Sequence, residues 1–216
     1  MKTAVELDYH ALAEAENVDL VAFLHTLDDA QWDAASLCDG WKVRHVMSHM
    51  TLGYTTSLPS IALMVARHGF SVPKASKAMS IQYGDTHSSA EILSALEGGI
   101  ANPKGLGKLI PDHEILTDHA IHQWDARVPL GLPRELPRER AVAILDALPR
   151  IGGFMQSKKR VAGLTLVATD VGHSVGDGPA VEGPAQSLIL AASGRPIGLD
   201  GLSGDGLATL ADRVHH

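Results

Sequence analysis

Two short stretches hold the side chains best suited to chemistry. "WKVRHVMSHM", residues 41 to 50, contains His45 and His49, and "DHAIHQWD", residues 118 to 125, contains Asp118, His119, His122 and Asp125. In an α-helix, residues four apart lie only about 40° apart around the axis, so Asp118 and His122 share one face, as do His45 and His49. Two such helices side by side could set three or four donors around one divalent ion. Two imidazoles and one carboxylate suit zinc, nickel, manganese or iron(II), and positions left open for water or substrate make such a site reactive rather than structural. His119 points about 100° from Asp118 and about 60° from His122, so it fits that face poorly. His113, at the start of its helix, is expected to face water. The competing reading is plain: in a chain with 12 histidines, pairs at this spacing also arise as surface or hydrogen-bonded core residues. Spacing alone leaves both readings open.

The elements that must position these residues are legible from periodicity and caps. Leu7, Ala11, Ala15, Val18, Val21 and Leu24 follow the spacing of an amphipathic helix. Asp28 and Gln31 form a capping-box pattern, and Gly40 breaks the chain before a helix from about Val43, with Val46, Met47 and Met50 on one stripe. Pro59 kinks that helix or starts a fresh one over "SIALMVARHGF". Ser88 caps the next with Glu91 as its partner, and Gly98 and Gly99 are expected to stop it. A helix from about Asp112 to Val128 is ended by Pro129 and Gly131, and another follows with Pro137 near its first turn.

After about Lys158 the pattern changes. Leu164, Leu166 and Ala168 alternate inward as in a half-buried strand, and "VGDGPAVEGP" reads as a turn and a short partner strand. "AQSLILAASG", closed by Gly194, and "LSGDGLATLADRV" read as short helices. The expectation is a mainly α protein: an antiparallel helical bundle over residues 1–157 and a small α+β domain over 158–216. The second part is too small to bury a good core alone and is expected to pack on the helices.

Composition narrows the function classes. The chain has 216 residues, 45% hydrophobic and 20% charged, as expected of one large domain or a domain with an appendage. No apolar run approaches the roughly 18 residues of a membrane span. Acids stand where a signal peptide needs an apolar core, so a cytoplasmic location is expected. A net charge of -7 argues against nucleic acid as a partner. One cysteine, Cys38, rules out an intramolecular disulfide and an all-cysteine zinc cluster.

Taken in order, these stretches resemble the mycothiol-dependent maleylpyruvate isomerase family of the DinB/YfiT-like metalloprotein superfamily, over nearly the whole chain. "LCDGWKVRHVMSHM" is similar to the family's first motif and "DHAIHQWDARVPLGLPRELP" to its second, while "KRVAGLTLVATD", "GPAQSLILAASGRP" and "LSGDGLATLADR" resemble its C-terminal appendage. The resemblance implies a DinB-like four-helix bundle with a divalent metal, usually zinc, held by His49, Asp118 and His122. Asp118 stands where the best-known isomerases carry glutamate, and its shorter side chain draws the carboxylate closer to its own helix. His45 stands where members often carry aspartate, and is expected one turn from the site rather than as a ligand. Asp125 would orient a ligand imidazole, hold an arginine or, the favoured reading, anchor the loop after its helix. Trp41 and Trp124 are expected to pack, the alternative for either being to wall a pocket. Cys38 is expected to be a small buried residue, since no base or electropositive setting for a catalytic thiol is readable.

The function implied is a metal-dependent enzyme that activates a low-molecular-weight thiol, mycothiol by resemblance, against a small electrophile. It is an S-transferase if the product stays conjugated and a cis–trans isomerase if the thiol leaves after rotation. An isomerase needs a cation for a dicarboxylate, and Arg195 in "SGRP" is the candidate catalytic residue, although an arginine there also caps the preceding helix. Neither nucleic acid nor a membrane is an expected partner. Two alternatives are a non-catalytic metal-binding or stress-response module, and a tail that binds a partner through an apolar face of "AQSLILAASG". On the favoured reading, His122→Ala removes bound metal far more than His119→Ala; equal losses in a metal analysis would place the site on a different helix face.

Overall fold

The computed structural model of the chain describes residues 7–153 and 155–215; residues 1–6, Phe154 and His216 lie outside it. Among the described residues, nine α-helices come first: α1 (Tyr9–Leu24), α2 (Asp29–Trp32), α3 (Val43–Thr55), α4 (Leu58–Arg67), α5 (Val72–Thr86), α6 (Ser89–Ala101), α7 (Asp112–Arg127), α8 (Arg138–Ala147) and α9 (Ser157–Val161). Strands β1 (Thr165–Ala168), β2 (His173–Gly176) and β3 (Ala180–Gly183) follow, then α10 (Ala185–Ala192) and α11 (Leu207–His215). Among the described residues, no helix is long and apolar enough to cross a membrane.

Caps set many of these boundaries. Asp28 and Gln31 close the expected capping box of α2, and Ser88 and Glu91 that of α6. Ser57 accepts from the Ser60 N–H with Pro59 in the first turn, so α4 is a fresh helix and not a kinked continuation of α3. Ser71 does the same for α5, with Pro73 behind it. That helix is absent from the expectations above. α6 runs through Gly98 and Gly99 to Ala101, because a Cβ on Gly99 would stand 2.7 Å from Tyr54 Cβ and the bare glycine lets the two helices approach.

The residues divide into two compact units, and α1 and α7 each run unbroken through both. One unit comprises Glu14–Pro111 and His122–Arg134. In it, α3 packs on α5, on α6 and on a 3₁₀ turn at Gly105–Lys108. Its core joins Leu20, Phe23 and Leu24 to Val43, Val46, Met47 and Met50, and to Ile92, Leu93 and Leu96. The inward face of α1 is not the expected one: Leu12, Glu16, Leu20 and Phe23 are buried, whereas Val18 is 67% exposed.

The reason is a buried ion pair. Glu16, with no exposed surface, accepts from Arg134 and, at 3.0 Å, from the Gln123 amide, whose oxygen accepts from Arg127 Nε at 3.0 Å. A paired carboxylate can thus sit inside where a hydrophobicity pattern would never place it. Burial, and then the nearby Arg134 charge, lowers the Arg127 pKa.

The other unit comprises the described residues within Met1–Ala13, Asp112–Ile121 and Glu135–His216. β1 is central in its sheet, antiparallel to β2 and parallel to β3, so beside the one expected partner strand there is a second, β2, that begins before the expected stretch. Leu164, Leu166 and Ala168 point inward as their alternation requires. α10 covers β1 and β3 and touches α8, and Leu188, Ile189, Leu190, Ala191 and Ala192 are all buried. The apolar residues of "AQSLILAASG" are therefore core, which removes the support for a partner-binding tail. The change of character near residue 158 marks a change of element type, while this compact unit also takes in α8.

Arg134→Ala would leave Glu16 buried without its cation. It is expected to lower stability by about 3–5 kcal/mol in denaturant unfolding, as breaking one side of a buried pair does.

Candidate metal centre

The centre is built on α7. His122 is buried, and its Nδ1 lies 2.8 Å from Asp125 Oδ2, three residues on along the same helix. The carboxylate accepts the N–H, which assigns the Nδ1–H tautomer and makes Nε2 the nitrogen able to coordinate a metal. A donor atom of His122 lies within 4.8 Å of one on His49, and likewise of a carboxylate oxygen on Asp118, one turn before it on the unbroken helix. The His49 and His122 rings meet edge to face, with centroids 5.2 Å apart and planes at 78°.

His49 comes from α3, and two neighbours steady it. Its Nδ1 is 3.1 Å from Ser76 Oγ on α5, and the Trp41 ring stands beside it at 5.6 Å. Each histidine thus has its Nδ1 engaged by a supporting group, Ser76 or Asp125, the arrangement that orients ligand imidazoles in metal sites. Two imidazoles and one carboxylate, with His49 and Asp118 only half-buried, fit a divalent ion that keeps positions open to solution.

Asp125 does more than the favoured sequence reading gave it. Completely buried, it orients His122, accepts the Cys38 S–H at 3.2 Å, and offers its backbone carbonyl to the Leu37 N–H at 2.9 Å. Orienting and anchoring are both present. Cys38 is half-buried against that carboxylate and, with His122 and Asp125, forms a second group of donors within 4.8 Å of one another.

The remaining candidates fall elsewhere. Lys42 N–H donates to His45 Nδ1 at 3.2 Å, so the Nε2 of this buried ring carries the proton donated to Asp85 Oδ1 at 3.0 Å. His45 thereby ties the start of α3 to α5. His119 is buried and joins neither donor group among the described residues. His113 does not simply face water: its ring packs edge-on to Tyr9 at 5.7 Å. Trp124 is buried, with the Arg134 guanidinium 5.5 Å from its ring. Arg195 donates to the Ser193 carbonyl at 2.8 Å, at the C-terminal cap of α10, the capping role weighed for it above.

Ser76 is the supporting residue that sequence reading missed. Its signal was present in Ser71 followed by Pro73, a cap and a first-turn proline that mark the start of α5. The packing of α5 is tight, since a Cβ on Gly84 would stand 2.7 Å from His45 Cδ2. Gly84→Ala gains about 1 kcal/mol of helix propensity, yet the clash with a ring held at both nitrogens is expected to outweigh it by about 1–3 kcal/mol. A lower melting temperature, with weaker metal binding as Ser76 is carried away from His49, is the expected result of thermal melts and metal titration.

Residues 13–103 match the family model described as the mycothiol maleylpyruvate isomerase N-terminal domain. The sequence matches no curated protein. Two crystal structures of the mycothiol-dependent maleylpyruvate isomerase, one of a histidine-to-alanine mutant, superpose with a TM-score of 0.57 at 20% identity over 92% of this chain and 92% of theirs. Residues 13–103 are thus similar to that N-terminal domain, and the chain shares with these structures a mainly α fold with a small α+β appendage.

Proposed function

We propose that this protein is a metal-dependent thiol enzyme in which His49, Asp118 and His122 hold a divalent metal, zinc in the first instance. The thiol is mycothiol, by likeness to the family, and it is either transferred to a small electrophile or used to isomerise a cis double bond. The observation that carries this reading is His122, anchored through Nδ1 by a buried carboxylate and set beside a second imidazole and a same-helix carboxylate. When bound, the metal supplies a Lewis acid that keeps a coordinated thiol ionised at neutral pH.

The chain's own residues supply the rest. Asp118 contributes a negative charge that offsets the metal's, and its short side chain keeps that charge close to α7. Asp125 and Ser76 fix the two rings, so little reorganisation accompanies binding. Trp41 beside His49 gives the centre an apolar wall that limits water on that side. Arg195 is the cation proposed for a dicarboxylate, with its guanidinium steadied by the Ser193 carbonyl.

The test is direct. Protein purified without chelator is expected to carry close to one divalent ion per chain and to show mycothiol-dependent turnover of maleylpyruvate or a generic electrophile. Loss of a supporting partner typically costs 10–100-fold in metal affinity or activity, so His49→Ala, which removes a ligand, is expected to cost more than about 100-fold. Wild-type protein without metal would overturn the site. Metal without thiol-dependent turnover would instead favour a non-catalytic metal-binding module.

A further inference from the structure

The loop before α3 closes on itself. Ser36 Oγ accepts the Cys38 N–H at 3.2 Å and donates to the Trp41 carbonyl at 3.0 Å, and Trp41 N–H returns to the Cys38 carbonyl at 2.9 Å. Gly40 takes the left-handed conformation, φ +70°, that this tight path requires. Leu37 N–H binds the Asp125 carbonyl, so backbone pins the loop to α7. Two side chains leave it toward the two histidines: Cys38 reaches Asp125, and Trp41 lies against His49.

We propose that Cys38 is a positioning residue for the metal centre: its S–H donates to the Asp125 oxygen that also binds His122 Nδ1, and so holds that carboxylate in line with the imidazole. The proposal rests on the metal reading above. A carboxylate with no exposed surface depends on donors to stay buried in its ionised form, and donors to a charged group are about twice as strong as neutral ones. Asp125 Oδ2 receives two, from His122 and from Cys38. With the thiol gone, that oxygen loses one of its donors, and the carboxylate is freer to turn away from the imidazole. Cys38 thus acts on the metal through Asp125 and His122.

The test compares Cys38→Ser, which keeps a donor of similar size, with Cys38→Ala, which removes it. Cobalt(II) affinity is measured by competition with a chelator, and the Nδ1–H population of His122 by nitrogen-15 NMR of metal-free protein. Cys38→Ala is expected to bind cobalt about 10-fold more weakly and to lose part of the Nδ1–H signal, while Cys38→Ser stays within about threefold of wild type. Wild-type affinity and tautomer in Cys38→Ala, or a Cys38→Ser variant as impaired as Cys38→Ala, would overturn the role. If wild-type protein takes up no cobalt, the metal reading fails, and the tautomer comparison still decides whether Cys38 positions Asp125.

Discussion

A carboxylate cut off from water must be surrounded by donors, and much of the centre answers that one requirement. Asp125 is such a group, and it gathers a ring N–H from its own helix, a thiol from the loop before α3 and, through its carbonyl, a backbone N–H from that loop. The loop's internal hydrogen bonds, the left-handed Gly40 and the placement of Trp41 follow from bringing those donors in. What looks like a solvated polar helix is therefore a helix whose polar groups are consumed inside the protein.

The same rule governs its neighbour in sequence. Gln123 extends between Glu16 and Arg127, and Arg134 completes the charge balance of Glu16. Successive residues of α7, His122 and Gln123, thus serve two different buried carboxylates, one on their own helix and one on α1. Polar satisfaction, more than hydrophobic periodicity, fixes how this helix sits in its surroundings.

That explains which parts of the molecule could be read from the chain. Caps with a local mechanism, at Asp28 and Ser88, stand where the residues placed them, as do the inward Leu164, just before β1, and Leu166 and Ala168 within it. The face of α1 was misjudged because Glu16 counts as polar until its partner, more than a hundred residues away, is known. The pairing of Asp118 with His122 was legible because a helix sets it locally. Ser76 and Cys38 were not, since each matters only through a side chain brought near by folding. Gly99 misled for a related reason: a glycine stop and a glycine chosen for close helix contact look alike in one dimension.

The two halves of the donor set differ in how they are assembled. Asp118 and His122 sit one turn apart on the same helix, so their spacing along the backbone is set when α7 forms. His49 stands on another helix, steadied by one hydroxyl and one indole. In the metal reading proposed above, the centre would be a chelate with one bidentate arm and one monodentate arm. On that reading the first arm would need little further backbone ordering, so selectivity between ions would fall mainly on the second.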